Sequence, residues 1–451
     1  MTIRAGDPHQ HFACVGVGIG PANLSLASLL AGRPEITNVF FERRNRFSWH
    51  DGQLFPGTSL QVSMLKDLVS LADPTSGYSF VAYLHDQGRL YHYLHAKFEA
   101  VPREEFRNYF EWACRRNANL RFDEGVESID FDGEFVVRTS RRTVTADNVV
   151  IGVGGEPWVP PSTRPHLGES QFHVNQFLER PRDLGGRRVA VVGGGQSGAE
   201  AVLELISRPA GERPRRTMWV SRRLNYFPID DSSFTNDYFT PAFSDHFSRL
   251  DPAERANLNT VNVLTSDGVS RRTLKAIYQR IYVCRFIQGE VDAVALYPAR
   301  NVVRVTPART GGWELAMVHR VAGDAVEHIE ADVVIWATGM RPARLDFLGP
   351  IAGRLAREGT EYRINEHFEV LWDGPPGRRV FIQNAARQQR GLADGALSLL
   401  AWRSQRIADR MRGVYTDRQV SSFIEWSAKA SSFVENVPCV ENVPEADVPE
   451  L

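Results

Sequence analysis

The sequence predicts an α/β protein built on two nucleotide-binding units, because two glycine-rich turns lie about 180 residues apart. The first turn contains Gly16, Gly18 and Gly20 followed by Pro21, and the second contains Gly193, Gly195 and Gly198. An apolar segment of strand length enters each turn, and an amphipathic segment of helix length leaves it. Glycine permits the tight turn and lets the backbone approach a pyrophosphate, whose charge the helix N-terminus stabilises. We therefore predict two Rossmann-like dinucleotide-binding domains on parallel sheets.

The end of the strand after each turn distinguishes the two nucleotides. The first such strand ends in Glu42, whose carboxylate can accept hydrogen bonds from both hydroxyls of an adenosine ribose, which suits FAD or NAD. The second ends in WVSRR, where Arg222 and Arg223 suit the 2′-phosphate of NADPH. The sequence therefore predicts FAD at the first site and NADPH at the second. In the alternative interpretation, the two arginines are solvated surface residues.

Composition narrows the class of protein. A chain of 451 residues with 43% hydrophobic residues can form several compact cores, and its net charge of -1 favours neither nucleic acid nor an anionic membrane as a partner. No apolar run approaches the roughly 20 residues that a membrane helix needs, and the N-terminal segment lacks the apolar core of a secretory signal. The cysteines are Cys14, Cys114, Cys284 and Cys439. Since none forms a CxxC pair, we expect reduced thiols in a cytoplasmic protein with no metal site.

The order of elements predicts one domain inserted into another. Residues 1–165 are expected to form the first part of an FAD-binding domain, and residues 331–425 its second part. Residues 166–330 are expected to form the NADPH-binding domain, which carries a mainly helical substrate-binding insertion at about 224–290. Proline and acidic residues after 425 favour a loosely ordered tail over 426–451.

Several segments beyond the two turns carry a resemblance to a known family. They are FSWHDGQLFPGTSLQVSMLKDLVSLADPTSGYSF (47–80), DDSSFTNDYFTPAF (230–243), LTSDGVS (264–270), DVVIWATG (332–339) and LSLLAWRS (397–404). The chain resembles the flavin-dependent N-hydroxylating monooxygenases, the lysine and ornithine N-monooxygenases of hydroxamate siderophore biosynthesis. The resemblance implies that NADPH reduces FAD, that reduced FAD adds O2 to give a C4a-hydroperoxyflavin, and that a neutral amine takes the distal oxygen. Relatives are commonly tetramers or dimers, so a homo-oligomer is expected.

The resemblance also implies roles for individual residues. Gln61 is expected to face the flavin, and Asn236 to lie near the α-amino or carboxylate end of the substrate; these two are the predicted catalytic residues. Lys66 is expected to bind the substrate carboxylate, with Thr265 nearby. The remaining cofactor contacts implied are Trp49, His50, Gln196, Ser197, Thr338, Gly339 and Leu397. Taken alone, an asparagine beside an aspartate in a polar loop, such as Asn236, is more often a turn residue.

Substrate identity depends mainly on Lys66. A buried ammonium without a partner is costly, and free diamines have no carboxylate to offer, so Lys66 favours an amino acid. Thr265, where ornithine-specific members tend to have asparagine, favours L-lysine. L-ornithine is the first alternative, and a diamine such as cadaverine or putrescine is the second. In the competing interpretation, Lys66 is a helix surface residue paired with Asp67 or another neighbour. An NADPH-flavin reductase or oxidase is disfavoured because no CxxC follows the first nucleotide unit.

Overall fold

The structure of the protein is a computed structural model, and it describes residues 10–180, 183–323, 325–416 and 422–426. The predicted tail 426–451 therefore lies outside the described residues, apart from Trp426.

Strands and helices alternate through most of the described chain. The strands are β1 His11–Val17, β2 Asn38–Phe41, β3 Leu120–Arg121, β4 Val126–Asp132, β5 Glu134–Thr139, β6 Thr143–Ile151, β7 Gly155–Pro157, β8 Gln171–His173, β9 Arg188–Val192, β10 Arg216–Val220, β11 Val294–Tyr297, β12 Arg300–Pro307, β13 Trp313–His319, β14 Val326–Ala331, β15 Val333–Trp336, β16 Met340–Pro342, β17 Arg357–Glu358, β18 Glu361–Tyr362 and β19 Arg379–Ile382. The α-helices are α1 Pro21–Leu30, α2 Phe80–Asp86, α3 Leu90–Ala96, α4 Arg103–Arg116, α5 Gln196–Ser207, α6 Pro241–Arg249, α7 Pro252–Val261, α8 Leu264–Asp267, α9 Arg271–Tyr282, α10 Arg387–Arg390 and α11 Leu400–Arg412. A π-helical turn, Val283–Ile287, continues α9. The 3₁₀ turns are Asp51–Gln53, Pro161–His166, Val174–Glu179, Thr235–Phe239, Asp346–Arg354, Leu392–Gly395 and Leu397–Leu399.

The first sheet has the strand order β3-β2-β1-β6-β5-β4 and begins with the predicted strand, helix and strand unit. β1 pairs in parallel with β2 and β6, and α1 connects β1 to β2. The first half of β6 pairs with β5, and its second half pairs in parallel with β19. Because β19 comes near the end of the chain, the first domain is made of two separate segments, as the sequence predicts.

The second sheet is parallel throughout and has the order β11-β10-β9-β15-β8. β15 lies between β9 and β8, so the predicted domain boundary at residue 331 is wrong by one strand. Residues 333–336, which form β15, are all buried. A short, fully buried apolar run contains no signal of which parallel sheet it joins, and pairing with β9 assigns β15 to the second sheet. The second domain therefore extends to about residue 339.

A short antiparallel ribbon connects the two domains. β7 leads from the first sheet toward the second, β16 leads back, and the two strands pair with each other. Helices α6 to α9 lie between β10 and β11 and form the insertion predicted at about 224–290. An antiparallel sheet of β12, β13 and β14 follows β11. The predicted α/β class with a helical insertion is confirmed.

α11 is more deeply buried than its sequence indicates. Its spacing predicts an amphipathic helix with a polar face toward solvent, yet Arg403, Arg406 and Asp409 are buried together with the apolar residues. Each buried arginine finds a carboxylate, at Asp394 and Asp245 respectively. Ion pairs thus replace water around this helix. Among the described residues, no helix is both long enough and apolar enough to cross a bilayer.

We expect Gly193→Ala to lower the free energy of unfolding by at least about 2 kcal/mol, a cost typical of strained backbone combined with a clash. Gly193 has a φ of +145°, and a Cβ there would lie 2.0 Å from the Ala337 carbonyl oxygen. Gly32→Ala is the control, because a Cβ there meets nothing within 4 Å. Urea denaturation measures both variants, and equal stability would contradict the close contact between the second turn and β15.

Candidate active site

The first glycine turn brings two backbone segments into contact. Gly18 has a φ of +85°, and a Cβ there would lie 2.9 Å from the Gly152 carbonyl oxygen at the end of β6. A Cβ at Gly16 would overlap the Phe40 ring at 1.9 Å. No larger residue fits at either position without movement of the neighbouring strand. Gly18 therefore allows a close approach to the neighbouring backbone, and the predicted approach of this turn to a pyrophosphate stays a prediction.

The start of α1 presents backbone donors at the end of β1. Gly20 is the N-cap, Pro21 occupies the first turn, and no side chain caps the helix. The N–H groups of the first turn are thus open to an anion. Glu42, at the end of β2, accepts a hydrogen bond of 3.0 Å from the Ile19 N–H. This bond places the Glu42 carboxylate beside the turn, where the ribose of a bound dinucleotide would lie.

The second glycine turn repeats this arrangement at the end of β9. Gly195 is the N-cap of α5, again without a side-chain cap, and Ser197 lies half-buried in the first turn. A Cβ at Gly198 would lie 2.3 Å from the Gly193 carbonyl oxygen, so the helix packs directly on the turn. The N–H groups at the start of α5 are open to a phosphate in the same way.

The Gln196 side chain is hydrogen-bonded to three neighbouring residues. Its Nε2 donates to Glu200 at 2.8 Å and to Thr273 at 3.3 Å, and its Oε1 accepts from the Ser270 N–H at 2.7 Å. Ser270 and Thr273 belong to the insertion. Gln196 therefore fastens the second turn to the insertion, and its predicted cofactor contact stays a prediction.

The two arginines after β10 have different surroundings. The Arg223 guanidinium is half-buried and donates to the carbonyl oxygens of Gly194 and Asp267, at 3.3 and 2.8 Å. Burial lowers the pKa of Arg223, while the Asp267 charge opposes this shift. Arg222 is exposed. Arg223 is therefore not a solvated surface arginine, because it supports the second turn. Arg222 is exposed, as the alternative interpretation expects.

Thr338 and Gly339 lie at the carboxyl end of β15, beside the second turn. The Thr338 hydroxyl donates to the Trp158 carbonyl oxygen, and the Gly339 carbonyl accepts from the Trp158 N–H at 3.0 Å. His173 also contacts the Gly339 carbonyl, at 3.1 Å. These bonds join the segment after β7 to the segment before β16, at the edge of the second domain.

Lys66 lies half-buried in an irregular loop, not on a helix surface. Burial lowers the pKa of its ammonium. The neighbouring Asp67 points inward and accepts from the Val69, Ser70 and Phe80 N–H groups, at 2.9, 2.7 and 2.7 Å. The proposed pairing of Lys66 with Asp67 is therefore wrong. Within the described part of the chain, no ion pair or hydrogen bond of the Lys66 side chain is found.

Asn236 and Thr265 lie on the insertion. The Asn236 Nδ2 donates to the Asp231 carbonyl at 3.1 Å, and the side chain is exposed. This bond orients the amide and uses one of its two N–H groups, so its oxygen and its second N–H can meet a ligand. Thr265 is buried, and its hydroxyl donates to the Asn262 carbonyl at 2.8 Å. The predicted substrate contacts of both residues stay predictions.

The residues predicted to face the flavin border the first domain's aromatic core. Gln61 is exposed, Leu397 is half-buried, and Trp49 packs edge-on against Phe110 with ring centroids 5.1 Å apart. His50 has a left-handed φ of 56°, and its ring nitrogen lies 2.7 Å from the Gln53 amide. Desolvation by the surrounding protein lowers the pKa of His50 to about 4, and the Arg103 charge adds to this shift.

Comparison with known proteins assigns the family. The family described as L-lysine 6-monooxygenase/L-ornithine 5-monooxygenase matches residues 10–342. The chain belongs to this family. The predictions of the family and of a flavin-dependent N-hydroxylating monooxygenase are thereby confirmed.

Three proteins similar to this chain differ in their substrates. The L-lysine N6-monooxygenase of Escherichia coli is 38% identical over 403 residues, which are 88% of this chain and 94% of the relative. The FAD-bound cadaverine monooxygenase of Erwinia amylovora has a TM-score of 0.86 and 26% identity, with 93% of this chain and 99% of that chain covered. The ornithine N-hydroxylase of Kutzneria sp. 744, with reduced FAD, NADP+ and L-ornithine, has a TM-score of 0.82 and 30% identity, with 89% and 99% covered. Overall similarity therefore leaves the substrate open.

A buried polar network behind the first turn was missed by sequence reasoning. Asn23 donates to the Val17 and Gly18 carbonyls at 3.0 and 2.8 Å and accepts from Gln383 at 2.8 Å. Arg403 donates to Gln383 and to the Asp394 carbonyl, at 3.2 and 2.6 Å. The sequence feature that could have indicated this network is an asparagine, Asn23, inside the otherwise apolar start of α1. The network holds the first turn against the returning end of the chain.

The last described segment contacts the insertion beside Asn236. The Ser422 hydroxyl donates to the Asp237 carboxylate at 2.9 Å. The Trp426 ring meets the Phe243 ring edge-on, with centroids 4.7 Å apart. This part of the chain therefore packs on the insertion.

We expect Asp67→Ala to lower the free energy of unfolding by about 2–4 kcal/mol, because several buried N–H groups would lose a charged acceptor. Asp73→Ala is the matched control, since the Asp73 carboxylate caps a similar turn at the surface. We expect that control to cost less than about 1 kcal/mol. Chemical denaturation measures both; equal losses would show that Asp67 does not hold the Lys66 loop in place.

Proposed function

We propose that the protein uses FAD and NADPH to hydroxylate the terminal side-chain amine of L-lysine, giving N6-hydroxylysine for siderophore or related hydroxamate biosynthesis. The observation that carries this proposal is Lys66: a half-buried ammonium next to Asp67, whose carboxylate is committed to backbone N–H groups. The carboxylate of an amino acid would satisfy this charge, and a diamine has none. The 38% identity with the Escherichia coli lysine enzyme supports lysine over ornithine.

The residues present fit the two cofactors. At the first turn, the open N–H groups of α1 and the Glu42 carboxylate match a pyrophosphate and a ribose. At the second turn, the uncapped start of α5 and the exposed Arg222 match a nicotinamide dinucleotide with a 2′-phosphate. We therefore assign FAD to the first domain and NADPH to the second.

When bound, FAD reduced by NADPH supplies the activated oxygen for this chemistry. The work of the chain is to orient the amine and to exclude water. Lys66 would hold the substrate carboxylate, and the amide oxygen of Asn236 would accept from its α-ammonium. The amine of lysine has an ordinary pKa near ~10.4, so the site must favour the neutral form, most simply through desolvation.

L-ornithine is the second candidate substrate because it offers the same carboxylate and α-amine on a shorter side chain. The resemblance in fold to a cadaverine monooxygenase makes a diamine the third. A homo-oligomer, either a dimer or a tetramer, and a cytoplasmic location remain predictions.

We expect NADPH-dependent hydroxylamine formation with L-lysine to exceed that with L-ornithine, cadaverine and putrescine. Lys66→Met should raise the KM for L-lysine by about 10–100-fold, the loss of one charge-assisted contact, without raising it for cadaverine. Lys275→Met, at an exposed lysine of α9, is the control. Hydroxylamine from cadaverine but not from lysine would overturn the proposal.

We expect Arg222→Ala to raise the KM for NADPH about tenfold and leave the KM for NADH unchanged, because its exposed guanidinium would meet only the 2′-phosphate. Arg223→Ala should raise both values, since Arg223 also holds the Gly194 and Asp267 carbonyls. Arg309→Ala, at an exposed arginine away from the second turn, is the control. Steady-state NAD(P)H oxidation measures the variants, and an equal effect of Arg222→Ala on both nucleotides would remove the phosphate assignment.

A further inference from the structure

A buried ion pair joins the first domain to the helix that follows the second glycine turn. Arg103, the first residue of α4, donates from Nη1 and Nη2 to the two carboxylate oxygens of Glu200 on α5, both at 2.8 Å. The Glu200 side chain is 4% exposed and that of Arg103 is 12% exposed. Two parallel bonds from a planar guanidinium fix both distance and orientation, which a single contact cannot do.

The same carboxylate continues into the second turn and the insertion. Glu200 Oε1 accepts from Gln196 Nε2 at 2.8 Å, and Gln196 Oε1 accepts from the Ser270 N–H at 2.7 Å. One hydrogen-bonded chain therefore passes from α4 through the turn to the start of α9. Each end is anchored: α4 packs into the first domain's aromatic core through Phe106, and α5 into the second core through Val202.

The first domain also contacts the insertion through ion pairs, in which Asp245 meets Arg390 and Arg406. The contacts of residues 51–55 with the second domain are apolar or backbone contacts. The Phe55 and Phe177 rings meet edge-on with centroids 4.9 Å apart, and a Cβ at Gly52 would lie 1.8 Å from the Asn175 carbonyl oxygen. These contacts bring the domains together but are not directional in the way a bidentate ion pair is. Buried ion pairs add little net stability over apolar residues of similar size, and their best-attested use is to set register.

We propose that Arg103, Glu200 and Gln196 form an interdomain clasp that positions the second glycine turn relative to the first nucleotide unit. The proposal rests on the proposed function, in which the second turn carries NADPH and the first carries FAD. The three residues are then positioning residues for hydride transfer, in which NADPH is oxidised to NADP+ as FAD is reduced. Displacement of reacting atoms by 1 Å can slow a reaction about 100-fold, so loss of the clasp should affect this step first.

The test uses the FAD-loaded protein and the double variant Arg103→Met/Glu200→Leu, which replaces the pair by apolar residues of similar size. We expect anaerobic flavin reduction by NADPH, followed by stopped-flow absorbance, to slow 10- to 100-fold. Reduction by dithionite and the melting temperature should stay near those of the unmodified protein. Arg103→Lys, which keeps the charge but loses the paired geometry, should give an intermediate rate. If the double variant does not fold, the rate of flavin reduction in Arg103→Lys tests the proposal instead.

The matched control is Arg142→Met/Glu124→Leu. That pair is also bidentate, with Glu124 4% exposed, but both residues belong to the first domain. We expect flavin reduction by NADPH to be unchanged in this control. A double variant at 103 and 200 that is reduced at the normal rate would overturn the clasp.

Hydrogen–deuterium exchange separates failure of the clasp from failure of the proposed function. In the variant at 103 and 200, exchange should accelerate in peptides covering 193–200 and 51–55, and the control variant should show no such change. If NADPH does not reduce the unmodified protein, the proposed function fails, while the exchange result still decides whether the clasp holds the domains. Unchanged exchange in both peptides would overturn the clasp whatever the enzyme activity.

Discussion

The architecture depends on close approach between backbone segments at the carboxyl ends of two parallel sheets. In the first sheet, Gly18 lies against the Gly152 carbonyl, and in the second, Gly193 lies against the Ala337 carbonyl. In each case a turn after one strand contacts the end of the neighbouring strand, and only glycine leaves room for that contact. The following helices therefore begin at fixed places with their N–H groups open, which is the condition for binding a pyrophosphate.

This constraint explains why the first domain needs two separate segments of chain. The Gly152 position is supported from behind by Asn23, which donates to the backbone of the turn and is itself held by Gln383. Gln383 directly follows β19, far along the chain, and Arg403 on α11 completes the network. The first nucleotide unit is thus finished only when the chain returns from the second domain. The ribbon of β7 and β16 makes that return possible.

Much of this fold could be predicted from the sequence, because its strongest signals are local. Apolar runs and glycine turns depend on neighbouring residues and were predicted correctly. The assignment of β15 was wrong because sheet membership depends on pairing with distant strands, and its apolar run would fit either sheet. Arg222 and Arg223 were indistinguishable for a similar reason: only the folded backbone shows that Arg223 contacts Gly194 and Asp267. The Arg103–Glu200 pair is separated by almost a hundred residues and has no local signal at all.

The contrast between paired and unpaired charges is the strongest argument for what the site binds. Where arginines are deeply buried they meet carboxylates, as Arg403 meets Asp394 and Arg406 meets Asp245. Lys66 departs from this pattern: it is half-buried, its pKa is lowered by burial, and the carboxylate next to it serves the backbone. Desolvation of a charge without a partner is unfavourable, so a ligand of opposite charge would offset this cost. Under the proposed function, the carboxylate of an amino-acid substrate would be that partner.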